Sequence, residues 1–160
     1  MKSGRVPDEF AAGLRAPIAT RYHLFSPFIR MPNQARKILA VMTDLYFLVK
    51  ITDMAKKFGM VVETVKDKES ALEKVKSKPS VVIFDLNYEA ADPIGIIQAI
   101  KADPETRRVS TIGFLSHIQT DLKLKAQESG CDMVVARSVF AQNLPQIMKR
   151  HATIETASRN

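Results

Sequence analysis

From residue 36 onward the apolar positions of the chain change period at short, regular intervals. KILAV, at 37 to 41, is an apolar run of strand length, as a strand buried on both faces requires. Phe47, Ile51, Met54, Ala55 and Phe58 then recur at helical spacing, and Gly59 stands where a C-terminal cap belongs. MVVETV predicts a second strand, and Asp67 is placed to cap a helix that turns Ala71, Leu72 and Val75 inward and ends at Lys78 and Pro79. SVVIF is a third strand and stops at Asp85. Asp92 followed by Pro93 is an N-cap with proline at the first helical position, and Ile94, Ile97 and Ile100 give that helix its buried stripe. STIGFL predicts the fourth strand, Thr120 caps a helix that runs to Ser129 and closes at Gly130, and DMVVA predicts the fifth strand. A last helix carries Leu144, Ile147 and Met148 to about His151.

Five strands alternating with five helices across short joints predict the α/β class, a doubly wound five-stranded parallel sheet covered on both faces. Ligands of such sheets lie at the carboxyl ends of the strands, near the switch in strand order. That rule singles out Thr43, Asp44, Asp85, Ser116 and Arg137.

Residues 1 to 35 break the pattern: Pro7, Pro17, Pro27 and Pro32, with Gly4 and Gly13, leave no sustained period and predict an irregular extension. Tyr22, Phe25 and Phe28 are its candidate anchors, and Met31 is an alternative start. The expected division is an extension at 1 to 35, one domain at 36 to 150 and a tail at 151 to 160.

Composition narrows the chemistry. A 160-residue chain that is 46% hydrophobic has material for one core. Its charge of +7 is scattered, with Lys66, Lys68, Lys74, Lys76 and Lys78 far in sequence from Arg107, Arg108, Lys149 and Arg150, which reads as solvated helix faces rather than a nucleic-acid surface. One cysteine, Cys131, makes no internal disulfide, and no Cys/His spacing suggests zinc. No apolar run is long enough to cross a bilayer and no secretory signal opens the chain, so a cytoplasmic location without a membrane partner is expected. A glycine-rich phosphate loop, a nucleophile elbow and a metal-binding histidine pair are all missing, and His23, His117 and His151 lie far apart in sequence. No catalytic residue is expected.

Residues 36 to 150 resemble the receiver domains of bacterial two-component response regulators. KILAVMTD stands where that family has a strand ending in an acidic pair, FGMVVETVKDKESALEKV matches its second strand and helix, and PSVVIFDLN matches its phosphoacceptor strand. IKADPETRRVSTIGFLS and ESGCDMVVARSVF follow its last two strands. The resemblance implies a flavodoxin-like, CheY-like fold with strand order 2-1-3-4-5. It makes Asp85 the phosphoacceptor position, and Ser116 and Arg137 the phosphate-sensing positions, Arg137 in place of a lysine. The family's acidic pair for Mg2+ is replaced by Met42 and Thr43, which leaves Asp44, Asp85 and Asn87 as candidate metal ligands. Tyr88 and Glu89 add bulk beside the pocket, His117 follows Ser116, and Val134 takes the place of the family's switch aromatic.

Phosphoryl transfer to a carboxylate brings negative charge onto negative charge and needs a divalent cation between them. Magnesium requires hard oxygen ligands, which a thioether is not. Arg137 is expected either to hold Asp85 in a permanent ion pair or to stand as a surface arginine. The leading expectation is a pseudo-receiver with no cofactor, binding a protein partner of a bacterial signalling pathway through a face that includes Lys123, Lys125, Phe140, Leu144 and Met148. One alternative is a working single-domain response regulator phosphorylated on Asp85 by a histidine kinase with Mg2+; another is a basic anion or nucleic-acid binder.

Overall fold

A computed structural model describes residues 35 to 116 and 119 to 153; the expected N-terminal extension, His117 and the last seven residues lie outside the described residues. In chain order the elements are β1 (Lys37–Val41), α1 (Leu45–Lys57), β2 (Val61–Val65), α2 (Lys68–Val75), β3 (Val81–Asp85), a 3-10 turn (Glu89–Ala91), α3 (Pro93–Ala102), β4 (Ser110–Leu115), α4 (Thr120–Glu128), β5 (Met133–Ala136) and α5 (Arg137–Thr153). The strands are all parallel in the order β2-β1-β3-β4-β5. The order therefore reverses between β1 and β3, and the carboxyl ends of those strands flank the switch point.

Alternation along the strands divides the core into two layers. Ile38, Ala40, Ile83 and Phe114 face α1 and α5, where Phe47, Ile51, Phe140, Leu144 and Met148 meet them. Leu39, Val41, Val82 and Phe84 face α2, α3 and α4, against Ala71, Val75, Ile97, Ile100 and Ala126. Gly113 of β4 is needed for space, since a Cβ there would lie 2.8 Å from the Leu86 side chain.

Several local expectations shift by a residue or more. Asp92 caps α3 as expected, its Oδ1 accepting from the Gly95 amide at 3.0 Å, but it does so in the left-handed region at φ +52°. The buried stripe of α3 is Ile96, Ile97 and Ile100, with Ile94 only half-buried. Thr120 is the first residue of α4 and not its cap; Gln119 holds the cap position and makes no side-chain bond there. No loop separates β5 from α5, and α5 continues past 150 to Thr153 with His151 buried, so the expected tail begins later.

At the amino ends of the strands Lys101 fastens three segments. Its ammonium donates to the carbonyls of Arg107 at 3.3 Å and Val109 at 3.0 Å and to Asp132 Oδ2 at 2.8 Å. The same Asp132 oxygen accepts from the Thr111 amide and hydroxyl at 2.8 and 3.0 Å, tying the entry of β5 to β4.

His151 makes stability pH-dependent. Burial, reinforced by the charge of Arg150, pushes its imidazole below the ordinary value of 6.5, against the opposing pull of the Ser80 carbonyl and Asp132. Below 6.5 the unfolded chain then binds the proton that the folded chain resists, so the stability from neutral His151 is present above that value and lost as pH falls toward the depressed one. Urea midpoints are expected to fall between neutral pH and mild acid, and His151→Leu is expected to flatten that slope. An unchanged slope in the variant would assign the acid sensitivity elsewhere.

Candidate functional site

The carboxyl ends of β1 and β3 at the switch point, and that of the edge strand β5, deliver the site. β1 is followed by buried Met42 and exposed Thr43, and Asp44 comes next as the N-cap of α1, its Oδ1 accepting from the amides of Tyr46 at 3.0 Å and Phe47 at 3.3 Å. β3 ends at Asp85, which is only 7% exposed. β5 runs straight into α5, and this junction swings Arg137 back over the strand ends.

Arg137 bridges both acids. Its Nη1 lies 3.1 Å from Asp44 Oδ2 and its Nη2 lies 3.0 Å from Asp85 Oδ2. The guanidinium also rests 5.1 Å from the centre of the Phe47 ring and 5.5 Å from that of Phe114. A cation held over two aromatic faces and between two carboxylates is fixed in place far better than an exposed arginine in a single ion pair. The sequence left open whether Arg137 pairs with Asp85 or stands alone; the structure places it in the pair and adds Asp44.

Burial raises the Asp85 carboxyl above its ordinary value, and nearby Asp44 adds to the rise; the Asn87 amide and the Arg137 charge oppose it. The Asn87 amide donates to Asp85 Oδ1 at 3.0 Å. All four oxygens of the two carboxylates thus already accept a hydrogen bond within the protein.

Asn87 works sideways. Its Oδ1 accepts from the Ser116 amide at 2.8 Å, and its Nδ2 donates to Gln119 Oε1 at 2.5 Å, so this side chain secures the start of the β4 to α4 connection. Ser116 therefore joins the site through its backbone, and its residue is exposed. Tyr88, expected beside the pocket, donates its hydroxyl to the Lys66 carbonyl at 3.0 Å.

The donor set does not fit a divalent cation. The guanidinium already stands between the two carboxylates and would set its positive charge against any cation entering there. Met42 offers a buried thioether and Thr43 a neutral hydroxyl in the places the resemblance gives to acids. Among the described residues no three His, Cys, Asp or Glu side chains cluster in a way that could hold a metal ion.

The expected partner face needs correction. Lys123 and Lys125 are exposed on α4, but Phe140, Leu144 and Met148 are buried in the layer beneath α5 and offer nothing to a partner. Their spacing signals the inward stripe of α5. The apolar side chains that do reach solvent on this side are Leu124, 50% exposed, and Val139, 39% exposed. Sequence reasoning also missed the roles of Phe47 and Phe114 beneath Arg137, although helical spacing marked Phe47 as an inward-facing position.

The fold is that of response regulator receiver domains. The structure is similar to a response regulator from Hahella chejuensis, with a TM-score of 0.66 and 16% identity over 75% of this chain and 97% of that one. It is similar to the receiver domain of a sensor histidine kinase from Pseudomonas aeruginosa, whose structure has magnesium coordinated in its active-site cleft, with a TM-score of 0.63 and 19% identity over 74% and 98% of the two chains. A chemotaxis response regulator of Vibrio cholerae matches with a TM-score of 0.62 and 18% identity over 73% of this chain and 98% of its own. No family model matches the sequence, and no curated protein matches it.

Proposed function

We propose that this chain is a pseudo-receiver of two-component-type signalling: a non-enzymatic, cytoplasmic module that binds a protein partner without magnesium-dependent phosphorylation of Asp85. The supporting observation is the guanidinium of Arg137 between Asp44 and Asp85. An acceptor carboxylate has to present an oxygen to the incoming phosphorus beside a cation that offsets the gathering negative charge. Here the cation is a permanent part of the chain, and it holds the acceptor oxygen itself. Partner binding falls to the α4 and α5 side, with Lys123, Lys125, Leu124 and Val139 as the exposed contacts.

The second reading, a working regulator served by a histidine kinase, draws on Asp85 at the end of β3 and Ser116 just after β4. Amide NMR spectra of the full chain separate the two. Added magnesium, followed by beryllofluoride as a phosphoryl mimic, is expected to leave Asp85, Asn87 and Ser116 unshifted. Saturable shifts there that vanish in Asp85→Asn would establish the second reading instead. Charge reversal of Lys123 and Lys125 is expected to weaken capture of the partner; capture at the native level would remove this face from the proposal.

A further inference from the structure

The opposite end of the sheet carries a second chemistry. The amino ends of β4 and β5 and the last turn of α5 border a cleft of about 330 Å3, lined by Arg108, Ser110, Ile112, Met133, Arg150 and His151. The fold has gathered here two arginines that are far apart in sequence. Among the described residues neither makes a hydrogen bond or ion pair, whereas Arg137 and Lys101 are both paired.

Asp132 also borders the cleft, but its carboxylate is answered by the Lys101 ammonium at 2.8 Å and by the Thr111 amide and hydroxyl. The helix end would otherwise oppose an anion through its free carbonyls. Arg36 Nη1 covers one of these, donating to the His151 carbonyl at 3.1 Å, and brings a third guanidinium to this end of the molecule. His151 itself is buried, and its Nδ1 has no hydrogen-bond partner.

Two unpaired guanidiniums match the charge of a phosphate dianion, and their planar forks match its oxygens. The half-buried Met133 side chain offers an apolar contact to an organic body, and the cleft is within the size of small-ligand sites, roughly 300 to 1,000 Å3. We propose that this cleft binds a phosphate monoester of mononucleotide size, its phosphate between Arg108 and Arg150 and its organic body against Met133. Such a site lies away from Asp85 and acts whether or not Asp85 is phosphorylated.

Adenosine monophosphate, adenosine and inorganic phosphate, each titrated into the full chain and followed by amide NMR and calorimetry, test the assignment. The monophosphate is expected to give saturable shifts at residues 108 to 112, 132, 133, 150 and 151, while phosphate alone and adenosine alone each bind at least about tenfold more weakly. Arg108→Ser combined with Arg150→Ser changes exposed side chains only; its spectrum should stay folded and lose the shifts, whereas Asp85→Asn should keep them. Absence of saturation, equal binding of inorganic phosphate, or undiminished binding by the double variant would each overturn the proposal. So would tight binding of a single-stranded oligonucleotide with none of the mononucleotide, which would make this end a surface for a polyanion.

Discussion

Arg137→Ala is expected to lower stability by roughly 2 to 3 kcal/mol at neutral pH and to give Asp44 and Asp85 affinity for divalent cations. Removing one member of a buried ion pair commonly costs about 3 to 5 kcal/mol, because the charge left behind has lost its counterion. The discount is for solvent: the Arg137 side chain is 34% exposed and that of Asp44 30%, although Asp85 is almost covered. The loss should depend on pH in a definite direction. Burial already holds the Asp85 carboxyl above its ordinary value, and without the guanidinium it rises further. Between the unfolded and folded values the folded variant binds the extra proton, so its stability declines as pH rises through that window. The deficit against the native protein should therefore be largest at neutral pH and shrink in acid.

Urea unfolding at several pH values measures this, with midpoints compared at constant slope. Arg137→Met keeps a long apolar stem over Phe47 and Phe114 without the charge, and so separates packing from the ion pairs. Arg137→Lys keeps one charge but has no fork to span both acids, and is expected to lie between the native protein and the alanine variant. A native-like midpoint for Arg137→Ala would reduce the bridge to a surface pair of little worth. Magnesium or manganese added to the alanine variant should shift Asp44 and Asp85; if neither ion does, something other than Arg137 keeps cations out.

The frame of the fold was legible because its signals are local and repeated. Each buried strand is a short apolar run, each helix shows its stripe, and the caps at Asp67 and Asp92 and the left-handed glycines Gly59 and Gly130 are written in the residues themselves. The site was legible only in part. That Asp44, Asp85 and Arg137 stand at strand ends follows from topology. That one guanidinium spans both acids depends on α5 starting at Arg137 without a loop, and no periodicity encodes the length of a joint. Asn87 illustrates the same limit: a carboxamide two residues after Asp85 suggests a ligand, yet here it fastens Ser116 and Gln119, which are far off in sequence. The two basic groups at 107 to 108 and 149 to 150 looked scattered along the chain for that reason too, until the fold brought Arg108 and Arg150 to one cleft.

Phe140→Ala is expected to cost roughly 3 to 5 kcal/mol of stability, and to weaken partner binding only by depleting the folded state. Phe140 is fully buried, stacked on Phe114 with ring centres 4.8 Å apart and 6.1 Å from that of Phe47. Against a total stability of about 5 to 15 kcal/mol, a loss of that size can unfold the chain outright. Phe140→Leu retains most of the volume and should cost about 1 to 1.5 kcal/mol, which keeps the test readable. Both effects should be seen in urea unfolding, while Lys123→Glu and Lys125→Glu should leave the midpoint nearly unchanged. Phe140 also supports the ring on which Arg137 rests, so its removal should loosen the grip on Asp44 and Asp85. Stability losses from Phe140→Leu and Arg137→Ala should then fail to add, the pair costing less than the sum of the single changes. Strict additivity would mean that the stack and the ion-pair bridge are energetically separate, and that Arg137 is held by its two carboxylates alone.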